Sequence, residues 1–154
     1  METNGAILTR SSKVFSGMLI ENDKLESSIS ARIRYHRQKA KIAQPELAKA
    51  VGCSRDRIFR YENGRTSEEK MDIELLKKMA DYFKVDKYYF CNDYHVFIDT
   101  TDVPEYLKRM RKDKGMSQRK FANMLGIPLA SYKGYEEGRV RIPEKYWYYI
   151  RHFQ

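Results

Sequence analysis

The stretch Gln44-Pro45-Glu46-Leu47-Ala48-Lys49-Ala50-Val51-Gly52-Cys53-Ser54-Arg55-Asp56-Arg57-Ile58-Phe59-Arg60-Tyr61-Glu62-Asn63-Gly64-Arg65 decides the fold. Pro45 suits the first turn of a helix, where its missing N–H costs nothing. Leu47, Ala48 and Val51 give that helix an i, i+1, i+4 apolar stripe, and Gly52 ends it as a left-handed cap. Ser54 is a good N-cap for a next helix over about 55–62, closed by Gly64. Working outward, Ile29, Ile33 and Arg37 track one face of a helix over about 28–41. Ile73, Leu76, Met79, Ala80 and Phe83 do the same over about 72–84. Asp86 then opens a last short turn through Tyr88-Tyr89-Phe90.

An offset of 74 positions repeats this pattern without a gap. Arg37 meets Arg111, Gln44 meets Gln118, Ala48 meets Ala122 and Gly52 meets Gly126. Tyr61-Glu62 meets Tyr135-Glu136, and Gly64-Arg65 meets Gly138-Arg139. Apolar positions coincide as well: Ile33 with Leu107, Leu47 with Phe121, Val51 with Leu125 and Ile58 with Tyr132. A repeat of this length is one supersecondary unit used twice. The second copy predicts helices near 103–114, 118–125, 129–137 and 143–152, with Ser117 and Pro143 opening two of them.

Charge follows the repeat. The 154 residues carry 30 Lys and Arg against 21 Asp and Glu, a net of +9. Residues 28–92 hold +6 and residues 100–154 hold +6, whereas 1–27 hold −1 and 93–99 hold −2. A basic surplus calls for an acidic partner, with nucleic acid the default. The expected organisation is a partly ordered arm at 1–27, one domain at 28–92, an extended linker at 93–101 and a second, divergent domain at 102–154. The linker expectation rests on the β-prone run Tyr94-His95-Val96-Phe97-Ile98-Asp99-Thr100-Thr101.

Several classes are disfavoured. Cys53 and Cys91 lack Cys-x-x-Cys spacing and the three histidines are scattered, so neither a metal site nor a disulfide framework is expected. No apolar run approaches a membrane span, and the N-terminal residues lack a signal pattern. Without paired carboxylates, a Cys/His dyad or a Gly-rich phosphate loop, the chain reads as a non-enzyme without cofactors.

Two helices joined by a tight glycine turn, then a polar-faced third, describe a helix-turn-helix. Both units resemble the phage-repressor (Cro and λ-repressor-like, also called XRE) helix-turn-helix family. The first unit carries the resemblance through Gln44 to Ala48, Val51-Gly52, Ser54, Ile58 and Tyr61 to Arg65; the second through Ser117-Gln118, Phe121-Ala122, Leu125-Gly126-Ile127, Tyr132, Tyr135-Glu136 and Gly138-Arg139. The resemblance implies an all-α chain of two λ-repressor-like bundles in tandem behind an N-terminal arm. It also implies that the third helix of a unit lies in the DNA major groove.

On that frame Ser54, Arg55, Asp56, Arg57 and Arg60 are the expected base-reading residues, Arg for guanine and Asp for a cytosine amino group. Gln44, Asn63 and Arg65 are the expected phosphate contacts of the first unit, and Gln118, Arg119, Lys133 and Arg139 those of the second. The resemblance assigns Arg37 with Glu62, and Arg111 with Glu136, to structural ion pairs. Tyr61, Tyr132 and Tyr135 are expected in the core. Tyr88, Tyr89 and Phe90 are expected at core and interface, and the aromatic run Tyr146 to Tyr149 with Phe153 in core or interface.

The copies differ where reading would occur. Where the first has Arg55, Asp56, Arg57 and Arg60, the second has Leu129, Ala130, Ser131 and Gly134, and Glu137 replaces Asn63. Gly134 is a candidate for close approach of another backbone. The expected function is therefore a sequence-specific double-stranded DNA-binding regulator, a repressor of a phage or mobile-element promoter. The first unit reads bases; the second adds phosphate contacts, a partner surface or both. An extended joint of eight residues reaches at most ~29 Å, short of the ~34 Å between half-sites, which favours a homodimer. A cytoplasmic, nucleoid-associated location in a bacterium follows. The competing reading is an anti-defence inhibitor that binds a host protein through the second unit and autoregulates through its helix-turn-helix. Binding that survives high salt would favour it.

Overall fold

The computed structural model describes residues 28–153; the expected arm at 1–27 lies outside them. The described residues are helical, with no strand among them, and fall into two units that divide between Phe90 and Cys91.

The first unit holds α1 (Ile29–Lys39), α2 (Gln44–Val51), α3 (Arg55–Glu62), a 3₁₀ turn (Glu68–Lys70) and α4 (Ile73–Tyr82). Side-chain caps explain the starts of α1, α3 and α4. Ser28 Oγ accepts from Ala31 N at 3.1 Å, Ser54 Oγ from Arg57 N at 3.2 Å, and Asp72 Oδ1 from Leu75 N at 3.2 Å. Between α2 and α3 the chain turns at Gly52, whose φ of 74° is a conformation that side chains disfavour. Ile33, Leu47, Ile58, Leu76, Met79 and Phe90 are fully buried and form the centre of this unit. Arg32 Nη1 donates to the Tyr89 carbonyl at 2.6 Å, tying the turn after α4 to α1.

The second unit holds α5 (Asp93–Thr100), α6 (Val103–Asp113), α7 (Gln118–Leu125), α8 (Leu129–Glu136) and α9 (Glu144–Arg151). Its core comprises Leu107, Phe121, Ala122, Leu125, Ile127, Tyr132, Tyr135, Ile142 and Ile150. The repeat returns bond for bond. Cys53 N donates to Ala48 O at 2.9 Å, and Ile127 N to Ala122 O at 2.9 Å; Arg65 N donates to Arg60 O at 2.9 Å, and Arg139 N to Gly134 O at 2.9 Å. Lys41 and Gly115, which close the first helix of each copy, share a left-handed φ of 57° and 61°.

One expectation needs correction. The 93–101 segment is a helix of the second unit rather than an extended linker. The reason is a reciprocal cap that overrides β-propensity: Asn92 Oδ1 accepts from His95 N at 3.0 Å while His95 Nδ1 accepts from Asn92 N at 3.2 Å. Burial of Tyr94 and His95 then fixes the helix, and the Tyr94 hydroxyl donates to the Ile142 carbonyl at 2.6 Å. The reach computed for an extended joint does not apply to a helix.

Candidate nucleic-acid interface

In each unit an arginine–carboxylate fork braces one helix against another, α3 against α1 in the first and α8 against α6 in the second. Arg37 Nε and Nη2 donate to the two Glu62 oxygens, the latter at 3.0 Å, and Nη1 donates to the Ile42 carbonyl at 2.9 Å. Arg111 repeats this with Glu136 at 2.9 and 2.7 Å and with the Met116 carbonyl at 3.0 Å. Both carboxylates are buried. The Glu62 hydrogen bond, working against burial, raises the Arg37 pKa, and Glu136 does the same for Arg111. Burial alone would raise Glu136, but its hydrogen bond with Arg111 and its other neighbours outweigh it, and the pKa is lowered.

Gln44 and Asn63 are more committed than free phosphate ligands would be. Gln44 Nε2 donates to Glu62 Oε2 at 2.8 Å, so its amide extends the fork. Asn63 Nδ2 donates back to the Phe59 carbonyl at 2.8 Å, while its Oδ1 accepts from Arg34 Nη2 at 2.9 Å. Arg34 also donates to the Glu62 carbonyl at 2.7 Å, locking the end of α3 to α1. Sequence reading missed Arg34; its signal is a position one helical turn before Arg37 on α1.

The α3 face left open is the polar one. Ser54, Arg55, Asp56, Arg57 and Arg60 are all exposed, with the Ser54 hydroxyl serving as cap. Arg57 and Arg60 line a cleft of about 490 Å³ with Ser54, Asp56, Thr66 and Lys70. Arg55 and Arg65 lie 5.2 and 5.3 Å from the Phe59 ring centroid, so one half-buried ring positions two guanidinium groups. Phe59 was not singled out from sequence, because an isolated aromatic on a polar face reads as filler.

The second unit presents a different face. Leu129 and Ser131 are half-buried, and Ala130 and Lys133 are exposed. Gly134 is buried, and a Cβ placed there would stand 3.6 Å from Val140 Cγ2, so the close approach is made by this unit's own chain. Arg119 is exposed, Gln118 is half-buried beside Glu136 and helps hold its carboxyl low, and Arg139 is held by Glu137 at 2.6 Å. Tyr61, Tyr132 and Tyr135 are buried; Trp147 is buried and Tyr146 half-buried, while Tyr148, Tyr149 and Phe153 are exposed. Tyr88 and Tyr89 are half-buried beside the buried Phe90.

No group of His, Cys, Asp and Glu suited to a metal occurs among the described residues. No described helix is long and apolar enough to cross a membrane. Comparison with protein families gives a match to the model described as helix-turn-helix over residues 33–90 and again over 107–146. Neither curated proteins nor solved structures give a match.

Proposed function

Because the chain belongs to the helix-turn-helix family of DNA-binding regulators, of the phage-repressor type and in two copies, we propose that it is a sequence-specific double-stranded DNA-binding repressor of a phage or mobile-element promoter. It acts in the bacterial cytoplasm, on the nucleoid, and its mechanism requires no cofactor. One observation carries this reading: α3 exposes Arg55, Asp56, Arg57 and Arg60, whose side chains make no hydrogen bond or ion pair among the described residues, Arg55 only resting over the Phe59 ring. Arginine forks on a recognition helix read guanine edges, and Asp56 accepts from cytosine. Occupancy alone then blocks a promoter.

In this reading Gln44, Asn63 and Arg65 border the phosphates of the first half-site, with Gln44 and Asn63 acting chiefly by holding α2 and α3 in place. Arg119 and Lys133 supply phosphate contacts from the second unit. Gln118 and Arg139, engaged with Glu136 and Glu137, contribute less. A homodimer would present two α3 helices to half-sites about one helical turn apart.

Selection from random duplex DNA tests it. We expect a bipartite palindrome, lost with Arg55→Ala or Arg60→Ala and unchanged with Leu129→Ala. No enrichment, or equal relaxation by Leu129→Ala, overturns the proposal. An asymmetric single site overturns the dimer.

A further inference from the structure

We infer that the second unit carries a docking groove for an acidic, apolar protein segment, away from its helix-turn-helix pair. The groove encloses about 570 Å³ among α5, α6 and α9, and none of its lining residues lies on α7 or α8. Its floor is Val96, Phe97, Tyr106, Trp147 and Ile150. The rings are fixed against one another: Phe97 meets Tyr106 edge-on at 5.5 Å and Trp147 at 6.0 Å. A pre-packed aromatic floor of this size accepts a few side chains without rearrangement.

The rim decides what those side chains belong to. Arg109 is exposed and makes no ion pair or hydrogen bond among the described residues. Lys108 and Lys112, exposed on α6 and also without a described partner, lie outside the lining and add only to the positive charge of that helix. Across the groove Arg151 lies 5.4 Å over the Trp147 ring, and it neutralises Asp93, the one carboxylate in the lining, at 3.3 Å. An apolar floor beneath a cationic rim complements an aromatic or aliphatic side chain flanked by carboxylates, with the Arg109 fork closing on one of them. Duplex DNA fits less well, since it offers charge but no flexible apolar group to fill the floor. This inference gives the second unit a partner chemistry and is independent of what α3 reads.

Trp147 is the chain's single tryptophan, so its emission reports on the groove directly. The full chain is titrated with a synthetic peptide of alternating glutamate, phenylalanine and leucine, and with its lysine-for-glutamate counterpart. We expect a saturating emission change with the acidic peptide only, weakened about tenfold by Arg109→Glu and largely kept by Arg109→Lys. Arg109 is exposed, so neither variant threatens the fold. Silence with the acidic peptide, equal response to both peptides, or insensitivity to Arg109→Glu overturns the inference. So does an emission change produced by unrelated duplex DNA, which would make the groove a nucleic-acid contact. A change on dilution without peptide would assign it to a second copy of the chain, with the same consequence.

Discussion

Gly134 and Gly138 sit four residues apart and should respond oppositely to the same substitution. Gly134 lies inside α8 with ordinary helical geometry and room for a methyl group 3.6 Å from Val140. Gly134→Ala removes the helix cost of glycine and should raise stability by about 1 kcal/mol. Gly138 has a φ of 70°, and its Cβ would meet Pro104 Cγ at 3.3 Å, so Gly138→Ala should lower stability by ~1 kcal/mol or more. Denaturant midpoints with unchanged slopes check both. The Arg111–Glu136 fork offers a second contrast. Arg111→Met leaves a buried carboxylate unpaired and should cost about 3–5 kcal/mol. The neighbouring Tyr132 hydroxyl is buried without a well-formed hydrogen bond, and the first unit has Ile58 at the equivalent position. Tyr132→Phe should therefore fall within about 1 kcal/mol of the parent protein. A loss as large as that of Arg111→Met would mean the hydroxyl is part of the fork.

At the scale of elements, α5 depends on its cap. Asn92→Ala removes the acceptor for His95 N and should cost about 1 kcal/mol, with amide exchange accelerated first across α5. Unchanged protection there would show that Tyr94 and His95 packing alone holds the helix. The same helix marks where reading the sequence ran out. Helices α1 to α4 and α6 to α9 are legible because apolar spacing, Pro45, Ser54, Ser117 and the turn glycines all act within a few residues. Tyr94 to Thr100 is locally β-prone; its Asn92–His95 cap tips it towards helix, and the packing that then holds it there includes a bond from Tyr94 to Ile142, 48 positions away. The groove escaped for the same reason. Phe97, Tyr106 and Trp147 come from three elements, and no window of sequence contains them together. Arg55 and Arg60 are conspicuous in the sequence because they are charged residues on one short helix, and the structure has both exposed. Arg34 was not, because its role lies in reaching Glu62 and Asn63 across the fold.

For the whole molecule, two independent cores imply that conditions can act on one unit without acting equally on the other. His36 on α1 is caged by Tyr35, Phe83, Tyr89 and Phe90 at 4.9–5.6 Å. Burial first, then Lys39, lowers its pKa below 6.5. The folded first unit therefore binds this proton more weakly than the unfolded chain does. Its stability is full above the unfolded value and declines as pH falls from there through the folded value. Thermal unfolding followed between about pH 7 and about pH 5 should show this decline, and His36→Phe should flatten the part due to His36. On the proposed function, salt weakens the DNA complex through phosphate contacts. Neutralising Arg119 or Lys133 should shallow the slope of log affinity against log salt by about 1 each, leaving operator preference intact. A relaxed preference would mean that the second unit also reads sequence.

The packing of Val140 against Gly134 also limits what α8 can present. The first unit holds Arg60 and Thr66 where the second holds Gly134 and Val140. A methyl group fits at Gly134, but anything longer must turn past Val140 out of a buried position. A cationic side chain at this point of α8, matching Arg60 of α3, therefore calls for a rearrangement of the segment that carries Val140 as well, so the two faces differ in packing and not only in residue type.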